Sequence, residues 1–163
     1  MVITPCPLLI SPTTNGRTLL VACEAANTVV VIDAAARRKS AEIAVGAQPH
    51  DVAFSPDGKR AYVSCRLSDV VDVIDVAALK TIGRIPVGFG PHGLLTDPAG
   101  RRLFVLDAGA DRISVVDAGG QKELKRLAAG RMPWSLAMSP DGREMFATNS
   151  LPQFGPFRSP SVS

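Results

Sequence analysis

The chain has 163 residues, of which 46% are hydrophobic and 20% are charged, so it is long enough for one domain with a sizeable core. Its formal net charge is +3, and its Lys and Arg residues are scattered through the predicted turns. This distribution does not point to a nucleic-acid partner or to an anionic membrane surface. Its 14 glycines and 13 prolines recur at regular intervals, which predicts many tight turns between short strands.

The chain carries few of the signals that mark metal sites, catalytic sites or membrane spans. Its three cysteines, Cys6, Cys23 and Cys65, form no CxxC or CxxCH spacing, so a zinc ribbon, thioredoxin-like chemistry and covalent haem attachment are unsupported. No apolar run approaches the roughly 18 residues of a membrane span. There is no GxSxG, Walker loop or HExxH motif, and no catalytic residue is predicted. Residues 1–12 lack a basic region and do not form a secretory signal as they stand.

Four landmarks recur along the chain with a step of 42 residues and no slip. They are a proline (Pro49, Pro91, Pro133), a turn glycine (Gly16, Gly58, Gly100, Gly142), a second glycine (Gly46, Gly88, Gly130) and an aspartate (Asp33, Asp75, Asp117). Such self-similarity is the signature of a repeat architecture. The aspartates follow apolar runs, so we expect their carboxylates to accept hydrogen bonds from the turns that follow.

Each unit predicts four short strands, as the second one shows in chain order. Strand 51–55 leads into the turn Ser55–Gly58, where proline presets φ and glycine accepts a positive φ. Strand 59–65, a short polar loop and the β-branched strand 70–75 follow, and a further turn leads into strand 80–88. No sustained helical period of apolar residues interrupts this order.

A period of about 40–45 residues with four strands per unit predicts an all-β β-propeller, because one blade alone cannot bury both faces of its sheet. The predicted blades are residues 5–46, 47–88, 89–130 and an incomplete fourth at 131–150, followed by a Pro/Ser-rich loop at 151–163. The fourth predicted blade has only its first two strands, and a closed four-bladed ring would need two more. We therefore expect the blades to form an open partial ring. The expected partners include the missing blades of the same parent chain.

Two repeat positions are predicted to lie at the same end of each blade, around the mouth of the central channel. They are the residue after the repeat proline and the last residue of the second strand, which gives six candidate binding residues: His50, His92, Trp134, Cys65, Asp107 and Asn149. Imidazole with thiolate or carboxylate suits zinc, copper or iron. The alternative is that these repeat positions simply tolerate polar side chains. We therefore predict no metal site and assign no cofactor. Cys23 and Cys65 lie one blade apart, and we expect free thiols.

Two segments at the end of the second strand carry a family resemblance. Tyr62-Val63-Ser64-Cys65 and Phe146-Ala147-Thr148-Asn149, with the flanking Val-Gly and Ser-Pro-Asp-Gly motifs, resemble the YVTN-family β-propeller repeat proteins, and the chain looks like a fragment of one. The family includes surface-layer and stress-related propellers, lactonase-like propellers and the propeller that carries d-type haem in nitrite reductase. The resemblance therefore implies a periplasmic or extracellular location.

Three functions follow from these observations. The first is a non-enzymatic scaffold that presents its channel-mouth rim to a small-molecule ligand or a protein partner, because the repeat explains every candidate residue. The second is a redox-associated propeller that binds haem or a metal at the rim through His50 or His92. The third, a lactonase-like hydrolase, rests on fold analogy alone.

Overall fold

The computed structural model describes residues 7–13 and 16–150, and within them the fold is all-β. The antiparallel strands form three four-stranded sheets and one two-stranded sheet, each in sequence order. Blade 1 contains β1 (Pro7–Pro12), β2 (Thr18–Cys23), β3 (Thr28–Asp33) and β4 (Arg38–Ala44). Blade 2 contains β5 (Pro49–Phe54), β6 (Arg60–Cys65), β7 (Val70–Asp75) and β8 (Lys80–Pro86). Blade 3 contains β9 (Pro91–Thr96), β10 (Arg102–Asp107), β11 (Arg112–Asp117) and β12 (Lys122–Ala128), and blade 4 contains β13 (Pro133–Met138) and β14 (Met145–Asn149).

The repeated aspartates close the turn between the third and fourth strands. Asp33 Oδ1 accepts hydrogen bonds from the backbone N–H groups of Ala35 and Ala36, at 3.0 and 2.9 Å. The carboxylates of Asp75 and Asp117 accept the corresponding pairs in blades 2 and 3. The structural role predicted for these residues is confirmed, since each one supplies the acceptor that a tight turn lacks.

Neighbouring blades bury one apolar layer between them. The interfaces use corresponding repeat positions of the second and third strands. Between blades 1 and 2 the layer contains Leu20, Ala22, Val29 and Val31 with Val63, Cys65 and Ile74. Between blades 2 and 3 it contains Tyr62, Val71 and Val73 with Leu103, Val105 and Val116, and between blades 3 and 4 it contains Phe104, Leu106, Ile113 and Val115 with Met145. The second and third strands of blades 2 and 3 are buried on both faces, which explains their nearly continuous apolar sequences. Burial of each large side chain contributes about 1.5–3 kcal/mol.

The described blades form an open partial ring, as the sequence predicts. Phe146 of blade 4 is 62% exposed, whereas Tyr62 and Phe104, at the same repeat position in blades 2 and 3, are each 1% exposed. The difference arises because Tyr62 and Phe104 are covered by the next blade. No helix in the described residues is long and apolar enough to cross a membrane. Cys6 and the predicted loop 151–163 lie outside the described residues.

Candidate functional site at the channel mouth

The start of each first strand and the end of each second strand lie at one end of the blades. Pro49 pairs with Cys65, Pro91 with Asp107 and Pro133 with Asn149 across the antiparallel ladders. All six predicted rim residues are therefore close to this end in their backbone positions. We call it the mouth face.

Three of the predicted residues form a continuous stack of rings. The ring centroids of His50 and His92 lie 3.5 Å apart, and those of His92 and Trp134 lie 4.0 Å apart. His50 is 6% exposed and His92 is 2% exposed, whereas Trp134 is 48% exposed. The stack follows from the repeat, because blades 2, 3 and 4 each carry a ring at the second residue of the innermost strand.

The tautomer of His92 follows from its single hydrogen bond. Its Nδ1 lies 3.1 Å from the carbonyl oxygen of Trp134, which can only accept, so Nδ1 carries the proton and donates it. In the neutral ring Nε2 then holds a lone pair, and this buried atom has no hydrogen-bond partner. His50 Nδ1 is also buried without a partner. The stack thus contains two polar atoms that the described protein leaves unsatisfied.

Burial keeps both imidazoles neutral at pH 7. Desolvation, followed by the proximity of His92 and of the Arg66 cation, lowers the pKa of His50 to about 4. Desolvation also lowers the pKa of His92, with a further contribution from Arg66, although the Trp134 carbonyl opposes the shift. Each ring therefore keeps one unprotonated nitrogen with a lone pair at pH 7.

Arg66 is a mouth-face residue that the sequence reasoning missed. It directly follows β6, its backbone N–H donates to the carbonyl of Gln48 at 3.0 Å, and its guanidinium lies 3.9 Å from Glu24. Its Nε is buried and has no hydrogen-bond partner. The signal was present, since the equivalent positions in the other blades hold Glu24, Ala108 and Ser150, and only blade 2 has a cation there.

Cys65 packs between blades 1 and 2 and is closed to solvent. It is 0% exposed, and its Sγ lies 4.0 Å from Asp72 Oδ2. Burial, with the Asp72 carboxylate beside it, raises the pKa of the thiol to about 12. The protonated thiol is neither a nucleophile nor a thiolate ligand. Cys23 and Cys65 are free cysteines, as expected.

Asp107 is also 0% exposed and belongs to a buried chain of acids and hydroxyls. Ser114 Oγ lies 2.6 Å from Asp107 Oδ2 and 2.6 Å from Glu123 Oε1. One hydroxyl has only one proton, so a protonated Asp107 that donates to Ser114 satisfies both short contacts. Desolvation raises the pKa of Asp107 to about 6, so this protonated arrangement prevails below pH 6.

In blades 2, 3 and 4 the last residue of the second strand fills the space left by a repeat glycine. An added Cβ would lie 2.8 Å from the Cβ of Cys65 if placed on Gly46, and 2.4 Å from the Cγ of Asn149 if placed on Gly130. The same contact joins Gly88 and Asp107. Cys65, Asp107 and Asn149 therefore have a packing role at the blade interfaces. The part of the chain that the structure describes holds no group of three or more His, Cys, Asp or Glu residues placed to bind a metal ion.

A cavity at the end of the blades opposite the mouth face arises from the repeat itself. Its volume is about 460 Å³, and Asp57, Arg60, Tyr62 and Gly119 line it between blades 2 and 3. The repeat-equivalent positions line a second cavity of about 220 Å³ between blades 3 and 4. Because the same turns produce both cavities, the mouth face is the better candidate for a specific site.

Stacked four-stranded blades with rim residues at one end define the class of protein as a β-propeller. The model of the YNCE-like beta-propeller family matches residues 14–102. This is more than half of the chain, and the chain therefore belongs to the YNCE-like beta-propeller family.

The chain is also similar to the solved structure of Kuenenia stuttgartiensis Hydrazine Synthase. The identity is 30%, the TM-score is 0.84, and the match covers 86% of this chain and 41% of that chain. This chain thus spans less than half the length of the hydrazine synthase chain that it matches. No curated protein matches the sequence.

Proposed function

We propose that this protein is a non-enzymatic scaffold whose mouth face binds a small-molecule ligand or a protein partner. The propeller fold supports a scaffold-type role, and one observation supports the site: His50 and His92 each bury a ring nitrogen without a partner. An unsatisfied buried polar atom costs about 1–3 kcal/mol. Ligand binding that opens this buried stack and donates a hydrogen bond to His92 Nε2 would recover that cost.

The absence of a plausible nucleophile among the six candidate residues supports the non-enzymatic part of the proposal. The Cys65 thiol is protonated, and the Asp107 carboxyl is buried beneath Gly88. Two neutral imidazoles supply a general base, but none of the other candidate residues supplies a side-chain nucleophile beside it. The scaffold proposal needs only their hydrogen-bonding capacity.

Trp134 provides the test, because it is the only tryptophan and stacks on His92. A fluorescence screen of small hydrogen-bond donors should find compounds that change the Trp134 emission of the full chain. His92→Phe keeps an aromatic ring in the stack but removes the lone pair, so it should abolish the response. Phe54→Leu, in the same blade as His50 but outside the stack, is the matched control and should leave it intact. A response that His92→Phe leaves unchanged would place the ligand elsewhere.

The haem- or metal-binding alternative rests on the same His92 lone pair. The described residues offer no third ligand close to the two histidines, and Cys65 and Asp107 are engaged between blades. The residues therefore do not fit an ordinary metal site. Stoichiometric metal in the purified full chain, lost in His92→Ala, would replace the scaffold proposal. The lactonase-like alternative has no observation in its favour beyond the resemblance.

We also propose that the chain is a YVTN-type propeller that works in the periplasm or outside the cell, together with further blades of the same parent chain. The Tyr62–Cys65 and Phe146–Asn149 motifs support the first part, and the uncovered Phe146 supports the need for a further blade. Cell fractionation with an antibody against this chain tests the location. Recovery in the cytoplasmic fraction alone would contradict it.

A further inference from the structure

An apolar groove of about 210 Å³ opens on the mouth face beside the histidine stack. Arg66 and Leu67 from the loop after β6, Phe89 from the loop before β9, Gly109 from the loop after β10 and Met132 before β13 line it. The groove therefore joins three blades. Its volume is below that of a drug-sized pocket and suits a small molecule.

The apolar side chains that line the groove are exposed, and the equivalent positions of another blade interface do not have them. Leu67 is 69% exposed, Phe89 is 65% exposed and Met132 is 38% exposed. At the interface between blades 1 and 2, the positions equivalent to Leu67 and Phe89 hold Ala25 and Ala47. Single exposed apolar residues are ordinary, but three around one concave surface indicate a binding site.

Glycine at position 109 holds the aromatic wall in place. A Cβ on Gly109 would lie 2.4 Å from Phe89 Cδ1, so the ring rests directly on the glycine backbone. The backbone N–H of Gly109 also donates to the Phe89 carbonyl at 3.1 Å. The Gly109 backbone thus supports one side of the Phe89 ring, which reduces the freedom that the ring loses on binding a ligand.

Arg66 brings to the groove a guanidinium whose ion pair with the protein is too long for a hydrogen bond. Its nearest carboxylate is Glu24, 3.9 Å away, and its buried Nε has no partner. The other two acids beside the groove are directed at backbone N–H groups and not at Arg66, since Asp69 Oδ1 accepts from Gly90 N and Asp111 Oδ1 accepts from Met132 N. A guanidinium in this position favours a carboxylate partner.

We propose that this groove binds a small carboxylate with an apolar or aromatic body. Arg66 holds the carboxylate, and Leu67, Phe89 and Met132 contact the body. The inference deepens the proposed function, on which it rests, by naming the ligand class of the mouth face.

The test compares phenylacetate with phenylacetamide, which has the same shape and no charge, by ¹H–¹⁵N NMR titration of the 163-residue chain. Phenylacetate should shift the backbone amides of residues 66–67, 89–90 and 108–109 and bind about tenfold more tightly than the amide. Arg66→Gln should remove that preference, and Arg66→Lys, which keeps the charge, should retain part of it. Gly109→Ala displaces the Phe89 ring and should weaken both probes equally.

Three outcomes would overturn the proposal. Equal affinities for the two probes would remove the role of charge, and a preference that survives Arg66→Gln would remove the role of Arg66. Phenylacetate shifts confined to His50, His92 and Trp134 would exclude the groove but would leave the mouth face as a ligand site. The failure of this inference is thereby distinguished from the failure of the proposed function, which the Trp134 screen decides.

Discussion

Asp107 lies directly against Gly88: a Cβ placed on Gly88 would come within 2.2 Å of Asp107 Oδ2. The same relationship joins Gly46 with Cys65 and Gly130 with Asn149. The second repeat glycine thus leaves room for a side chain from the next blade. That side chain belongs to the last residue of the second strand, and it lies against the glycine backbone. The blades are joined at the mouth face by these contacts as well as by their apolar layers.

Gly88→Ala should therefore lower the free energy of unfolding by about 1–3 kcal/mol, the usual cost of overpacking. Asp107 cannot swing aside easily, because Ser114 holds its carboxyl at 2.6 Å. Gly119→Ala is the matched control, since its nearest neighbour, Asp117 Oδ1, lies 3.5 Å from an added Cβ. Urea unfolding of both variants measures the difference. Equal stabilities would show that the glycine contact carries no strain.

The stacking of blades makes a second prediction at two equivalent positions. Phe104→Ala should lower the free energy of unfolding by about 3–5 kcal/mol, because Phe104 is 1% exposed between blades 3 and 4. Phe146→Ala should cost less than about 1 kcal/mol, because Phe146 is 62% exposed. Denaturant unfolding of the two variants, each compared with the unmodified chain, checks the difference. A similar loss in both would mean that blade 4 is covered in solution.

The sequence predicts the blades well because their determinants are local and repeated. Turn glycines, turn aspartates and β-branched strands recur with the same step, so one unit explains the others. The repeat also locates the mouth face, since antiparallel strands bring Pro49 beside Cys65.

The direction of individual side chains is harder to predict. His50 and Cys65 share one end of blade 2, yet His50 joins the ring stack and Cys65 fills the space beside Gly46. The space exists only where a preceding blade supplies a glycine, which is a relation between units and not within one. Arg66 is missed for the opposite reason, because it departs from the repeat and no periodic signal marks it.

The neutral histidine stack predicts a loss of stability in acid. The pKa of His50 is about 4 in the folded chain and about 6.5 when unfolded, so its contribution is present above pH 6.5 and is lost as the pH falls towards 4. The protonation of His50 accounts for a loss of up to about 3 kcal/mol in the free energy of unfolding. His50→Phe should therefore lose less stability than the unmodified chain between pH 7 and pH 4, measured by urea unfolding. Equal losses would show that His50 is already solvated in the folded state.

Asp107 should change the free energy of unfolding in the opposite direction from His50 over nearly the same pH range. Its pKa is about 6 in the folded chain against 3.8 ordinarily, so its contribution is fully present below pH 3.8 and is lost as the pH rises towards 6. The His50→Phe background removes the opposing effect of His50, and His92 is the same in both variants. In that background, stability should fall by up to about 3 kcal/mol between pH 4 and pH 6.5, and the added Asp107→Asn change should flatten the curve. An unchanged slope in the double variant would mean that Asp107 is ionised throughout and that Ser114 donates to it.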